Sequence, residues 1–364
     1  MYLPADHPQI GSARVALVVV ALGRTERLVR CLRSLVAHQS SIPFSVVCVL
    51  NPLERETLDD DTAAAIDRQL DETGVRVLEP RMNLGWSGGL HAGRSAIDVE
   101  LFAWMQDDME VLPGWLDALV SAADANPQIA AFGSMRVDRE GVVQLFNGGW
   151  AVPDDLRRWS STDTTQQQRP TGLRRLDWVT SRGLLVRTRA WDEVGGTDPS
   201  LYPLTYVDLD FSTHLRAHGW GVALVCEATV WHAHNQSAPG LLREFLDERL
   251  TPRVQQRWSA VVAALPHGAA AAHAHACTRD RAENVEGWVA LEATDIVVQF
   301  SRWVERWRSA DQAGNEAVRS ALDAVRMDAH GARAELADLR ASRSWRITAP
   351  LRALRARRAR RGSE

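Results

Sequence analysis

The amino-acid sequence predicts an α/β fold: a mostly parallel sheet covered by helices, followed by a helical C-terminal extension. Three observations carry that expectation. Continuous apolar runs of strand length alternate with amphipathic helical stretches through the first half of the chain. One such run, Leu101-Phe102-Ala103-Trp104-Met105, passes directly into Gln106-Asp107-Asp108, and the carboxyl edge of an open α/β sheet is where such folds bind ligands. Beyond about Pro239 the strand pattern stops and long helical stretches take over.

The elements follow in order. Val15 to Leu22 is apolar throughout and rich in β-branched residues, as a strand buried on both faces requires. Thr25 can cap the next helix, in which Leu28, Leu32, Leu35 and Val36 recur at helical spacing. Phe44 to Leu50 reads as a second strand, stopped by Asn51-Pro52. A polar helix around Thr62 to Leu70 and a short strand, Val75 to Leu78, come next. The segment Asn83-Leu84-Gly85-Trp86-Ser87-Gly88-Gly89-Leu90-His91-Ala92-Gly93 then opens a helix. Its glycines permit unusual backbone angles and close approach to a ligand, and amides at the helix start can face a diphosphate. A tight loop with close helix packing is the other reading. Further helices are expected at Phe211 to His218, Leu241 to Leu265 and Asn284 to Trp307.

A chain of 364 residues accommodates two domains, or one large domain with an appendage. With 45% hydrophobic and 24% charged residues it has the composition of an ordinary globular protein. A net charge of -4 argues against nucleic acid as the main partner. All 42 basic residues are arginine, which excludes any mechanism that needs a catalytic lysine. Cys31, Cys48, Cys226 and Cys277 are far apart, and the apolar surroundings of three of them predict buried free thiols in a reducing compartment. The first residues lack a signal-peptide layout, and no run approaches the roughly 20 apolar residues of a membrane span. The expected location is the cytoplasm.

Residues able to do chemistry gather at three places. Asp107 and Asp108 form a hard-oxygen site suited to Mg²⁺ or Mn²⁺ rather than zinc, unless they merely cap a following helix. Asp208-Leu209-Asp210 is a second acidic group, readable as catalytic or as the cap and first-turn acid of the helix after it. His232 and His234 complete a metal-plus-base set.

In this order the motifs resemble the family 2 glycosyltransferases of the GT-A fold, particularly bacterial rhamnosyltransferase-like members, over roughly residues 14 to 240. The Arg-bearing turn after the first strand is Ala21-Leu22-Gly23-Arg24. The family's N-x-G-x-x-G-G-x-N-x-G segment is matched from Asn83 to Gly93, with His91 in place of the second Asn. The acidic metal motif is matched by Gln106-Asp107-Asp108, with Pro113-Gly114-Trp115 downstream. Asp177 to Arg187 echoes the tract D-W-V-S-G-A-x-L-L-V-R, with Ser181-Arg182 where Gly-Ala is usual. Gly195-Gly196-Thr197-Asp198 stands for G-G-F-D. Val207-Asp208-Leu209-Asp210-Phe211, with Arg216 and Gly219 after it, stands for E-D-x-D-L. Ala228-Thr229-Val230-Trp231-His232 supplies the closing strand and histidine. Leu50 departs from the pattern where an Asp usually contacts the base or ribose, leaving Asn51 as the nearest polar side chain, and Val207 replaces the Glu before the catalytic Asp.

The resemblance implies a Rossmann-like, nucleotide-diphospho-sugar transferase domain over residues 1–240. It implies inverting, metal-dependent transfer of a hexosyl group from a UDP- or dTDP-sugar, dTDP-rhamnose among them, to a cell-surface polysaccharide or lipid-linked glycan. Asp108, Asp107 and His232 would hold Mg²⁺ or Mn²⁺, and Asp208 would be the general base. Leu22, Arg24, Asn51, Asn83, Gly85, Gly88, Gly89 and Asp107 would bind the nucleotide sugar. Trp178, Arg182 and Asp210 would face the acceptor, Asp210 chiefly by orienting a neighbour; His234 reads as a surface or supporting histidine. Trp86, Trp150 and Trp178 flank loop motifs where a ring can stack on a sugar, although burial is the default for tryptophan. Two rivals stand beside this. Leu50 and Val207 favour a non-catalytic scaffold of a polysaccharide-assembly complex. A sugar-nucleotide pyrophosphorylase would need an N-terminal glycine-rich loop with Lys, which is missing.

Residues 241–310 are expected to form the helical extension, with the Ala- and His-rich stretch Gly268 to His275 as a linker. Over residues 311–342, Val318, Leu322, Val325, Ala329, Ala332, Leu336 and Leu339 alternate at spacings of 4 and 3. That is a heptad seam for a short coiled coil, a homo-oligomer or a helical partner, or else a lone surface helix. Residues 343–364 combine Trp345, Ile347 and Leu351 with a run of arginines, resembling a tail of bacterial polysaccharide-assembly glycosyltransferases. Such a basic amphipathic tail fits an anionic membrane at the inner face of the plasma membrane, an acidic partner, or solvent.

Overall fold

Val15, Leu17 and Val19 of the first strand enter one hydrophobic core, and Ala16, Val18 and Val20 enter another, so the strand is buried on both faces. This is the period-2 alternation of a pleated strand. The computed structural model describes residues 13–37, 40–53, 60–72, 74–139, 141, 143–145, 149–150, 159–160, 171–232, 241–263 and 283–310. The first elements are β1 (Val15–Leu22), α1 (Glu26–Ala37), β2 (Phe44–Asn51), α2 (Asp60–Glu72), β3 (Arg76–Leu78), α3 (Gly85–Ser95) and β4 (Leu101–Gln106). Then come β5 (Met109–Val111), α4 (Trp115–Ala125), β6 (Ile129–Val137), β7 (Val143–Leu145), β8 (Gly149–Trp150), β9 (Trp159–Ser160), β10 (Leu173–Arg175) and β11 (Leu184–Arg187). The last are α5 (Thr188–Val194), a 3-10 turn (Pro199–Leu201), α6 (Val207–Ala217), β12 (Gly221–His232), α7 (Leu241–Ala263) and α8 (Val285–Ala310).

The main sheet has the order β10-β12-β6-β11-β4-β1-β2-β3. β3, β2, β1 and β4 pair in parallel, β11 runs against both β4 and β6, and β12 is parallel to β6. The six strands β3, β2, β1, β4, β6 and β12 therefore all point one way, and only β11 and the short strands β5, β7 and β10 oppose them. The mostly parallel sheet expected from the sequence is the sheet that forms. Helices α1, α2 and α4 cover one face, and α3, α5, α6, α7 and α8 cover the other. Trp104 of β4 lies at the centre of the second layer, edge-on to Trp86 and Trp191 and tilted against Phe211.

The glycines of α3 seat that helix on β1. A Cβ at Gly89 would come within 2.5 Å of Val20 Cγ1, and one at Gly93 within 2.2 Å of Val18 Cγ1. Gly88 faces α8, where a Cβ would lie 3.2 Å from Val289 Cγ2. The last two helices share the same buried core as the sheet, through Phe245, Leu250, Trp258, Val289 and Phe300. Between them, Glu292 pairs with Arg249 and, at 3.0 Å, with Arg253. Among the described residues no helix is long and apolar enough to cross a membrane.

Two local expectations are corrected. Asp107-Asp108 is followed by strand β5, not by a helix, so the pair does not serve as a cap. The helix expected at Phe211 starts at Val207, which puts both Asp208 and Asp210 in its first turn. Cys31, Cys48 and Cys226 are buried free thiols, as expected. Cys277, His234, the stretch Gly268 to His275, the heptad over 318–339 and the tail over 343–364 lie outside the described residues.

Candidate active site

Strand pairing brings the first acidic motif and the last histidine together. β5 lies antiparallel to the end of β12, with Met109 opposite His232, and Asp108 immediately precedes β5. His232 Nε2 is consequently 3.2 Å from Asp108 Oδ1 and 3.0 Å from Gln106 Oε1. Asp107 turns the other way, toward β1. Its Oδ2 accepts from the Leu22 amide at 3.3 Å and lies 3.8 Å from the Arg27 guanidinium. Burial pushes the Asp107 carboxyl up to about 6, with the Arg27 charge pulling against it and Asp108 adding to it. Burial pulls the His232 imidazole down, against its hydrogen bond to Asp108, and the charge of Arg182 adds to the lowering.

These side chains fit a hard divalent cation in one particular way. Asp108 Oδ1, His232 Nε2 and Gln106 Oε1 converge at the sheet edge, with the Nε2–H donating to the two oxygens; a cation there would take the place of that proton. The 3.2 Å between Asp108 and His232 is roughly the spacing of neighbouring ligands on one octahedral ion with bonds of about 2.1 Å. Among the described residues no group of three or more His, Cys, Asp and Glu encloses a cation.

Beside this edge is an open cleft of about 710 Å³, lined by Leu22, Asn51, Asn83, Gly85, Trp86 and Asp107 together with Pro203, Leu204 and Leu242. Its lining sets a few polar groups among apolar side chains, as small-molecule sites do. Five of the eight residues expected to bind a nucleotide sugar therefore line one cavity. Asn51 Oδ1 accepts from the Leu84 amide at 2.8 Å, Asn83 Oδ1 accepts from the Gly85 amide at 2.8 Å, and Pro203 O accepts from the Trp86 amide at 2.6 Å. The Leu84, Gly85 and Trp86 amides at the start of α3 are thus engaged within the chain. A Cβ at Gly88 would meet Leu84 and Val289, and one at Gly89 would meet Val20, so both glycines allow close packing. Arg24 is paired with Asp67 at 2.6 Å and with Glu79 at 2.5 Å, tying its turn to α2 and the end of β3.

Asp208 and Asp210 have opposite surroundings. Asp208 is half-buried, and its two oxygens accept from the Leu209 amide at 3.0 Å and the Ser181 amide at 3.1 Å. Asp210 is only 1% exposed, accepts from Trp258 Nε1 at 2.6 Å and lies 3.4 Å from Arg257. Its carboxylate ties α6 to α7 and offers no surface to an acceptor. Trp178 is buried in the core under the same segment, and Arg182 is half-buried beside Ser181. Sequence reasoning missed Arg27, whose signal was a second arginine three residues after Arg24 in the first turn of α1, and Pro203, Leu204 and Leu242, which carry no motif.

The family model described as "Glycosyltransferase like family 2" matches residues 13–250, well over half of the chain. The chain belongs to glycosyltransferase family 2. Relatives from two Mycobacterium tuberculosis strains, CDC 1551 / Oshkosh and H37Rv, are each named N-acetylglucosaminyl-diphospho-decaprenol L-rhamnosyltransferase. Each is 29% identical over 198 residues, covering 48% of this chain and 62% of the relative. The family 2 chain thus spans under two thirds of the length of these curated relatives. A crystal structure of GalNAc-T7 with UDP, GalNAc and Mn²⁺ is similar with a TM-score of 0.52 and 16% identity, over 68% of this chain and 48% of that one. At that identity the likeness concerns the fold, which is of the GT-A type. Among the departures from the family 2 pattern, Leu50 and Val207 are packing residues, 3% and 1% exposed.

Proposed function

We propose that this chain is an inverting, metal-dependent glycosyltransferase that moves a sugar from a nucleoside diphosphate to a hydroxyl of a lipid-linked or cell-surface glycan. The name of the mycobacterial relatives supports a rhamnosyl donor, with dTDP-rhamnose the first to test. The observation that carries the proposal is the Asp108–His232 pair, 3.2 Å apart at the sheet edge beside a cleft that also exposes Asp107.

In this mechanism the nucleoside lies in the cleft against Leu22, Asn51, Asn83 and Gly85, and Asp107 faces the ribose side. Asp108 and His232 would hold a Mg²⁺ or Mn²⁺ ion, which when bound neutralises charge on the departing diphosphate. Asp208, aimed by the Leu209 and Ser181 amides, takes the proton of the acceptor hydroxyl as its oxygen attacks the anomeric carbon. Attack opposite to the leaving group inverts that carbon, and a positioned base contributes about 10²–10⁴-fold. In this reading Arg182 faces the acceptor beside Asp208, and Trp178, buried in the core, supports that segment. Residues 1–240 carry the catalysis, α7 and α8 cover one face of the sheet, and the basic tail over 343–364 would attach the enzyme to an anionic membrane. The test is a panel of UDP- and dTDP-sugars with a diphosphate-linked N-acetylglucosaminyl lipid, scored for nucleoside diphosphate release. Release that needs both a divalent ion and the acceptor is expected; a wild-type protein that turns over no donor in the panel argues for the scaffold instead.

A further inference from the structure

Arg182 stands where the family resemblance has a small residue, and its setting is unusual for an arginine. Among the described residues it makes no hydrogen bond or ion pair, and its Nε is sealed from solvent without an acceptor. A guanidinium stays charged at any ordinary pH and carries five donors in a rigid fork. The half-buried side chain keeps its sealed Nε–H donor without an acceptor, and a buried donor left unmade is costly, so a partner is expected from outside the chain. Asp108 and Asp208 both act on its charge, but neither comes within ion-pair distance; burial pulls its pKa below the usual arginine value against their combined effect. The nearby Arg243 adds a like charge and is itself engaged by Asp247 at 3.1 Å. The adjoining Ser181 amide binds Asp208 at 3.1 Å, which fixes the start of the Arg182 segment against the candidate base.

We propose that Arg182 is the receptor for a substrate phosphate, gripping a phosphate or diphosphate group between the candidate metal edge at Asp108 and the candidate base at Asp208. This deepens the function proposed above and rests on it for the choice of phosphate, since the proposed donor carries a diphosphate and a lipid-linked acceptor can carry one too. A bidentate guanidinium–phosphate contact supplies geometry as well as charge. It would place the reacting hydroxyl, or the leaving group, at a fixed distance from Asp208. Arg182 is then a specificity-determining residue that favours phosphate-bearing substrates over neutral ones.

Inorganic diphosphate is the direct probe. By titration calorimetry, Arg182→Gln should bind it about 10- to 100-fold more weakly than wild type, the loss of one charge-assisted contact, with Arg182→Lys in between. The melting temperature of Arg182→Gln should not fall, because the native guanidinium has no partner to lose. Equal diphosphate affinity in wild type and Arg182→Gln, or a destabilised Arg182→Gln, would overturn the proposal. Two further titrations separate the sources. Weaker binding of UDP or dTDP with Mn²⁺ assigns Arg182 to the donor. A raised KM for a diphosphate-linked N-acetylglucosaminyl acceptor, with no change for a phosphate-free N-acetylglucosaminide, assigns it to the acceptor. A wild-type protein that binds inorganic diphosphate through Arg182 but neither UDP nor dTDP would sink the donor reading while upholding the phosphate receptor.

Discussion

Asp208 and Asp210 share one helical turn, yet one oxygen-bearing group is half-open to the site and the other is sealed beneath Trp258. Two residues on a helix point about 200° apart. Asp208→Asn should therefore lower kcat by about 10²-fold or more with the melting temperature unchanged, since a base acts only in the transition state. Asp210→Ala should do the reverse. It leaves the Trp258 indole N–H without its acceptor, a loss of about 1–3 kcal/mol readable in urea denaturation. Retained turnover in Asp208→Asn would move the base elsewhere. The acids themselves were legible in the sequence, as were Asp108 and His232, because few residue types serve this chemistry. Spacing alone did not separate the two acids, since that depends on where the helix begins; only the family resemblance pointed to Asp208. Val207 is apolar and Tyr206 ahead of it adopts a left-handed backbone with φ of 69°, so no capping side chain marks the start.

The element that reads most ambiguously is α3. Its glycine run fits both a phosphate-facing loop and a helix packed tightly on a strand, and spacing alone does not separate them. The contacts of Gly89 and Gly93 with Val20 and Val18 answer the question for those positions. Gly93→Ala should cost roughly 1–3 kcal/mol by overpacking the α3–β1 seam, measured by thermal melts, while its effect on nucleotide affinity stays small. A variant as stable as wild type would mean that the seam can give. The strand after Asp108 was equally hidden, because three residues are too few to show a period. It is pairing with β12, far away in sequence, that makes β5 a strand and brings His232 home.

At the scale of the whole molecule, the sheet and the last two helices melt as one body, because Trp258 and Phe300 belong to the same buried core as Trp104. Glu292→Ala strips the 4%-exposed Arg249 side chain of its closest partner, leaving the partly exposed Asp295 carboxylate and the Gln299 amide oxygen. A loss of about 3 kcal/mol in a single cooperative transition is expected, and separate transitions for sheet and helices would argue against a shared core. The buried thiols give a second global readout: Cys31 is held well above its usual pKa and Cys48 is pushed up to about 12, both by burial. Cys31, Cys48 and Cys226 should resist a thiol reagent in the native protein and react after denaturation, as peptide mapping would record. The alternation of strand and helix made the architecture legible; the burial of α7 and α8 against the sheet was not, since their sequences show only that they are helices. The most direct test of the central claim is a calorimetric titration of UDP and dTDP into wild type and Asp108→Asn, with Mn²⁺ and with chelator. Binding that requires Mn²⁺ and is lost in a folded Asp108→Asn is the expected result. Equal binding with and without the ion, or in both proteins, would contradict a cation-assisted nucleotide site at this sheet edge.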